Sequence, residues 1–67
     1  MNENLTHLII EQRKAVMMAG SQPSRLVIDP DSADCLAKEL PGITIIPGAR
    51  VFGLEVEFSH KPTVEVL

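Results

Sequence analysis

A two-layer α+β fold is predicted for this 67-residue chain by three observations. Two segments, 4–19 and 29–40, repeat apolar residues at helical spacing behind capping side chains. A short apolar run, "RLVID" at 25–29, lies between them. From residue 43 onward, alternating apolar and polar residues are interrupted by turns containing Pro or Gly, as in successive strands. The expected order is helix, strand, helix, strand, strand, strand. Two helices would pack on one face of a small, mostly antiparallel three- to four-stranded sheet, in a single domain over residues 1–67.

The first helix, "NLTHLIIEQRKAVMMA", is rich in good helix formers. Asn4 or Asn2 can cap it, and Gly20 followed by Pro23 ends it. Leu5, Leu8, Ile9, Ala15, Val16 and Ala19 form one stripe with Gln12 inside it, whereas Ile10 and Met17 fall on another side. After the linker "GSQPS", the strand 25–29 is expected to turn Leu26 and Ile28 inward. Its place at the edge or in the middle of the sheet is left open by the sequence.

Capping chemistry announces the second helix. Asp29 or Asp31 can accept the free amides of the first turn, and Pro30 suits the position after an Asp29 cap. Asp31 and Asp34 put negative charge near the positive end of the helix dipole. Ala33, Leu36, Ala37 and Leu40 make the inward stripe, and Pro41–Gly42 stops the helix.

The remaining residues read as strands "ITII", "VFGLEVEF" and "TVEVL", with "PGAR" as a hairpin connection and "SHKP" as a tight link. In "VFGLEVEF", Phe52, Leu54, Val56 and Phe58 are expected in the core, with Val51, Gly53, Glu55 and Glu57 on the opposite face. Val64 and Val66 share one face of the last strand, with Thr63, Glu65 and Leu67 on the other.

Composition narrows the function classes. A chain this short has little core to spare, and no intrachain disulfide can form because Cys35 is the only cysteine. A lone thiol fits a reducing compartment. The start "MNENLTHLII" lacks the basic region of a signal peptide, and Leu8–Ile10 is too short to span a bilayer. A cytoplasmic location is therefore expected, with no membrane partner. The net charge is −3 and the six basic residues, Arg13, Lys14, Arg25, Lys38, Arg50 and Lys61, are scattered along the chain without Tyr or Trp. That pattern disfavours nucleic acid.

Sites for chemistry are few. His7 and His60 have no second ligand at metal spacing, and Cys35 lies beside the inner stripe of the second helix as a half-buried structural cysteine. "DPDSAD" lacks the glycine and glutamate of a calcium loop, its aspartates being explained by helix capping. Ser21, Ser24 and Ser59 have no paired base, and the glycines form no phosphate loop. No metal, cofactor, small-molecule substrate or catalytic residue is expected, and the chain is read as no enzyme. What exceeds background is apolar surface. Ile10, Met17 and Met18 lie off the helical stripe, while Val27, Ile46, Val51 and Leu67 face away from the helices. Ile10, Met17, Val27, Ile46 and Leu67 are the candidate protein interface.

From residue 20 onward the elements "PSRLVIDPDSADCLAKEL", "VFGLEVEF" and "KPTVEVL" resemble small proteins encoded by tailed phages and prophages. The last two resemble the strand, Pro-containing turn and final strand near the end of phage major capsid proteins. The chain lacks the long arm and spine helix of a capsid subunit. The resemblance implies a phage-type accessory or structural protein, cytoplasmic or virion-associated, and carries over no functional residue. The expected activity is binding to another protein or to a second copy as a homodimer. The alternative is a nucleic-acid-associated regulator using the first helix with Arg13, Lys14 and Arg25.

Overall fold

A computed structural model describes residues 4–67, so the alternative cap Asn2 lies outside the described residues. Helix α1 (Leu5–Met18) is capped by Asn4, whose side-chain oxygen accepts from the His7 amide at 2.7 Å. Two more first-turn amides are satisfied from a distance. Leu5 and Thr6 donate to the Glu39 carboxylate at 3.0 and 2.9 Å, and Thr6 Oγ1 donates to it at 2.9 Å. These bonds, led by the Leu5 amide and then Thr6, hold the Glu39 carboxyl below its usual range. The helix ends as its glycine predicts. Gly20 has φ 87°, its amide donates to Met17 O, and the Ser21 amide donates to Val16 O, which together make a Schellman motif.

Helix α2 (Pro30–Glu39) begins on Asp29, which accepts from the Ser32 amide at 3.1 Å, with Pro30 in its first turn. The second oxygen of Asp29 accepts from the Thr63 amide at 3.0 Å, so the cap also anchors the chain leading into the last strand. Hydrogen bonding from Ser32, and then from Thr63, lowers the Asp29 pKa although burial opposes it.

The sheet contains β1 (Arg25–Ile28), β2 (Arg50–Val51), β3 (Leu54–Phe58) and β4 (Val64–Val66), in the order β2-β3-β1-β4. The α+β class and the element order are as expected, but the sheet is mixed. β1 runs parallel to β3 and antiparallel to β4, while β2 and β3 are antiparallel. The mostly antiparallel meander is thus corrected: α2 is a crossover that returns the chain so that β3 runs alongside β1 in the same direction. The link from β3 to β4 then steps over the end of β1, with the Ser59 amide on Ile28 O and the Asp29 amide on Thr63 O.

Two local expectations are also corrected. Residues 43–46 form no strand; Ile45 is buried while Ile43 and Ile46 are exposed. The turn at Pro47–Gly48 exists, with the Ala49 amide on Ile46 O, but Gly48 (φ 89°) and Ala49 together oppose Val56. That is a bulge with glycine at its first position, and pairing with β3 starts only after it. The hairpin lies instead at Phe52–Gly53, whose φ values of 53° and 78° are the two positive ones of a type I′ turn. Val51 and Leu54 flank this turn as a register pair, so they share a face and Val51 joins the core. Phe52 moves into the turn, half-buried, and Phe58 at the strand end is 39 % exposed. Glu57 is half-buried on the outer face, where Glu55 is exposed.

One core joins both layers. Ile9 of α1, Ala33 and Leu36 of α2, and Leu26, Ile28, Val51, Leu54, Val56 and Val66 of the sheet belong to a single buried cluster with Ile45. Leu5, Val16, Ala37, Leu40, Phe52 and Val64 pack around it. α1 rests on β4 and α2, so only part of its stripe reaches the core; Ala15 and Ala19 are exposed. Gln12, the polar member of that stripe, has a distinct role. Its Nε2 donates to Val64 O at 2.8 Å and its Oε1 accepts from the Val66 amide at 2.9 Å. These are the bonds one residue of a parallel strand would make. The side chain therefore covers part of the free edge of β4. Among the described residues no helix is long and apolar enough to cross a membrane.

Candidate binding cleft

Two stretches remote in sequence meet at one end of the molecule: the last turns of α1 with the loop that leaves it, and the β2–β3 hairpin turn. Gly20 reverses the chain at the end of α1, and Pro23 leads it into β1. Between this loop and the hairpin turn lies a cleft of about 530 Å³, with Arg13 and Met17 on one wall and Phe52 and Gly53 on the other. A second cleft of about 630 Å³ shares Gln22, Pro23 and Gly53 with it and adds Ser24, Arg25, Arg50 and Glu55. The first opens on the helix side of the sheet and the second on its outer face, where Arg25, Arg50 and Glu55 project.

The hairpin that shapes the groove is strained. A bulky side chain at positive φ is an outlier, and the left-handed region costs an L-residue about 1–2 kcal/mol. Phe52 accepts this conformation while its ring packs against the core cluster and lines the cleft. Opposite it, Met17 is 52 % exposed and offers an adaptable apolar side chain.

Arg13 lines the first cleft and Arg25 and Arg50 the second, whereas Lys14, Lys38 and Lys61 line neither. Arg25 is engaged, with Nη1 at 2.9 Å from Glu57 Oε2. Arg13 and Arg50 make no ion pair among the described residues. The second cleft sets Arg25 and Arg50 beside Glu55. The scattered basic residues of the sequence are therefore partly gathered by folding.

The candidate interface residues are distributed differently. Met17 alone among them lines the groove. Ile10 is half-buried on α1. Val27 is half-buried on the outer sheet face, in register with Glu57 and Glu65. Ile46 precedes the Pro47–Gly48 turn at 53 % exposure, and Leu67 follows β4 at 41 %. Arg13 and Phe52 complete the first cleft and Arg50 the second, and none of the three is among the expected interface residues. The one sequence signal was a glycine behind Phe52, inside an otherwise alternating run. Cys35 is exposed rather than half-buried, because it lies off the buried side of α2 that carries Ala33 and Leu36. His7 lies 3.7 Å from Glu11 on the surface of α1. Among the described residues no three His, Cys, Asp or Glu side chains converge.

Comparison with known protein families, curated proteins and solved structures returned no match.

Proposed function

We propose that this protein is a binding module, not a catalyst, and that it holds a segment of a partner protein in the groove between α1 and the Phe52–Gly53 turn. The observation that carries the reading is Phe52. A phenylalanine held at φ 53° faces an exposed methionine across an open cleft. Strained residues of this kind concentrate at ligand clamps and other functional sites. Met17 supports the same reading, since an unbranched thioether adapts to the shape of a partner. An accessory role of the phage type, in the cytoplasm, is the setting proposed for such binding.

A displayed random-peptide library, selected on immobilised protein, tests the reading. The wild type should enrich peptides that a Met17→Glu variant does not retain, because an added carboxylate in the apolar part of the cleft must be desolvated by the bound segment. Circular dichroism should show the variant folded, as Met17 lies outside the core cluster. Equal enrichment on both proteins, or none on either, would remove the proposal. Sedimentation equilibrium identifies the case in which a second copy is the partner.

A further inference from the structure

The sheet ends in two edges, and they are protected by different means. β2 is two residues long and lies between the Gly48–Ala49 bulge and the hairpin turn, so it offers an incoming strand little length. β4 pairs with β1 through alternate residues. The Asp29 amide donates to Thr63 O, Glu65 stands opposite Val27, and Arg25 and Leu67 exchange both backbone hydrogen bonds. The alternation of an antiparallel ladder then turns the amides and carbonyls of Val64 and Val66 toward the free edge. Gln12 holds one group of each, Val64 O and the Val66 amide.

We infer that Gln12 is a guard: α1 uses it to keep β4 from pairing with β4 of a second copy of this chain. None of β4 lines either cleft, so the inference stands apart from the binding role proposed above.

The second copy is singled out because the edge is complementary to itself. A two-fold axis through Glu65 sets Val64 of one copy opposite Val66 of the other. Facing residues of an antiparallel pair exchange both hydrogen bonds, so every outward group of Val64 and Val66 finds a partner in that register. Gln12 already occupies one group of each facing residue, and the two arrangements exclude one another. The same axis opposes Glu65, exposed on the outer face, to Glu65 of the second copy. Like charges directly opposite add a second, smaller barrier.

Sedimentation equilibrium over a concentration series tests the guard. Gln12→Ala should raise the self-association constant at least about tenfold over the wild type, as the freed edge groups gain partners. Adding Val64→Pro should return it to the wild-type value. Proline has no amide to give the second copy, and the Val64 amide serves neither β1 nor Gln12. Adding Glu65→Gln to Gln12→Ala should instead tighten association further. Phe58→Ala, which costs stability without touching β4, should associate like the wild type. An unchanged constant for Gln12→Ala, a gain that survives Val64→Pro, or the same gain in Phe58→Ala would overturn the inference. If Gln12→Ala does not fold, amide exchange in the wild type decides. Protection of the Val66 amide beyond that of Val64 supports the guard, and equal exchange of the two overturns it.

Discussion

Gln12→Glu changes one atom of the amide that covers the β4 edge, and its effect can be worked from two distances. The new carboxylate can still accept from the Val66 amide, now at 2.9 Å, but it cannot donate to Val64 O, now 2.8 Å from Nε2. One hydrogen bond worth about 1 kcal/mol disappears, and two acceptors are left facing each other in a half-buried position at a further cost of about 1–2 kcal/mol. The sum is about 2–3 kcal/mol at neutral pH, or a melting temperature lower by about 10–20 °C in a domain of this size. Protonation restores a donor, so folding raises the pKa of the introduced carboxyl above its unfolded value of about 4.3. Its restored contribution is complete below the unfolded pKa and is lost as pH rises through the folded one. Melting curves of wild type and variant, followed by circular dichroism from acid to neutral pH, should converge toward acid. A deficit independent of pH, or none at pH 7, would show that the amide does not hold the edge in this way.

For the wild type the acid dependence has the opposite sign. Asp29 and Glu39 are held below their ordinary values of 3.8 and 4.5, so their stabilisation is present above those values and fades as pH falls through the lower folded ones. Denaturant midpoints should drop through that acid range, and Asp29→Asn with Glu39→Gln should flatten the drop. Phe58→Ala should cost about 1–2 kcal/mol by urea unfolding, below the roughly 3–5 kcal/mol of a fully buried phenylalanine, because the ring is 39 % exposed. Phe52→Asn should change stability by less than about 1 kcal/mol, since relief at positive φ offsets lost packing. The same variant should lose peptides selected by the wild type, which separates the ring's binding role from its structural one.

Local chemistry made the helices legible. Asn4, Asp29 with Pro30, and Gly20 act on amides and carbonyls a few residues away, and each performs the capping or stopping role its type implies. The strand order was not legible, because the partners of β1 are chosen by the path of α2 and by the step over Ile28, neither of which leaves a local mark. The Phe52–Gly53 turn was hidden for a different reason. Apolar residues alternate on both sides of it, and phenylalanine is contrary to the asparagine preferred at that position. The turn at Phe52–Gly53 reverses the facing of Val51 and draws Phe52 out of the core, whereas Phe58 keeps its expected face and is exposed because it ends β3. The groove was less legible still. Met17 stood out as surplus apolar surface, but Arg13 and Phe52 are 39 positions apart in sequence and share a cleft only once α1 and the β2–β3 turn meet at the same end of the sheet.

Because β1 sits between β3 and β4, this sheet has no central seam that can close early during folding. Arg25–Ile28 pairs with residues that follow it by roughly thirty to forty positions, as in Arg25 with Glu55 and Leu26 with Val66. Chain entropy must be lost over those distances before the central pairs return any contact energy, which slows folding relative to helical domains of the same length. The β2–β3 hairpin is the exception, a local register mark available before the long-range pairs form. Its closure passes through Phe52 at positive φ, so the residue that shapes the groove also sets the barrier to the earliest sheet contact. Easing that turn with asparagine should speed refolding in stopped-flow measurements, whereas neutralising Arg13 should leave the rate as it is.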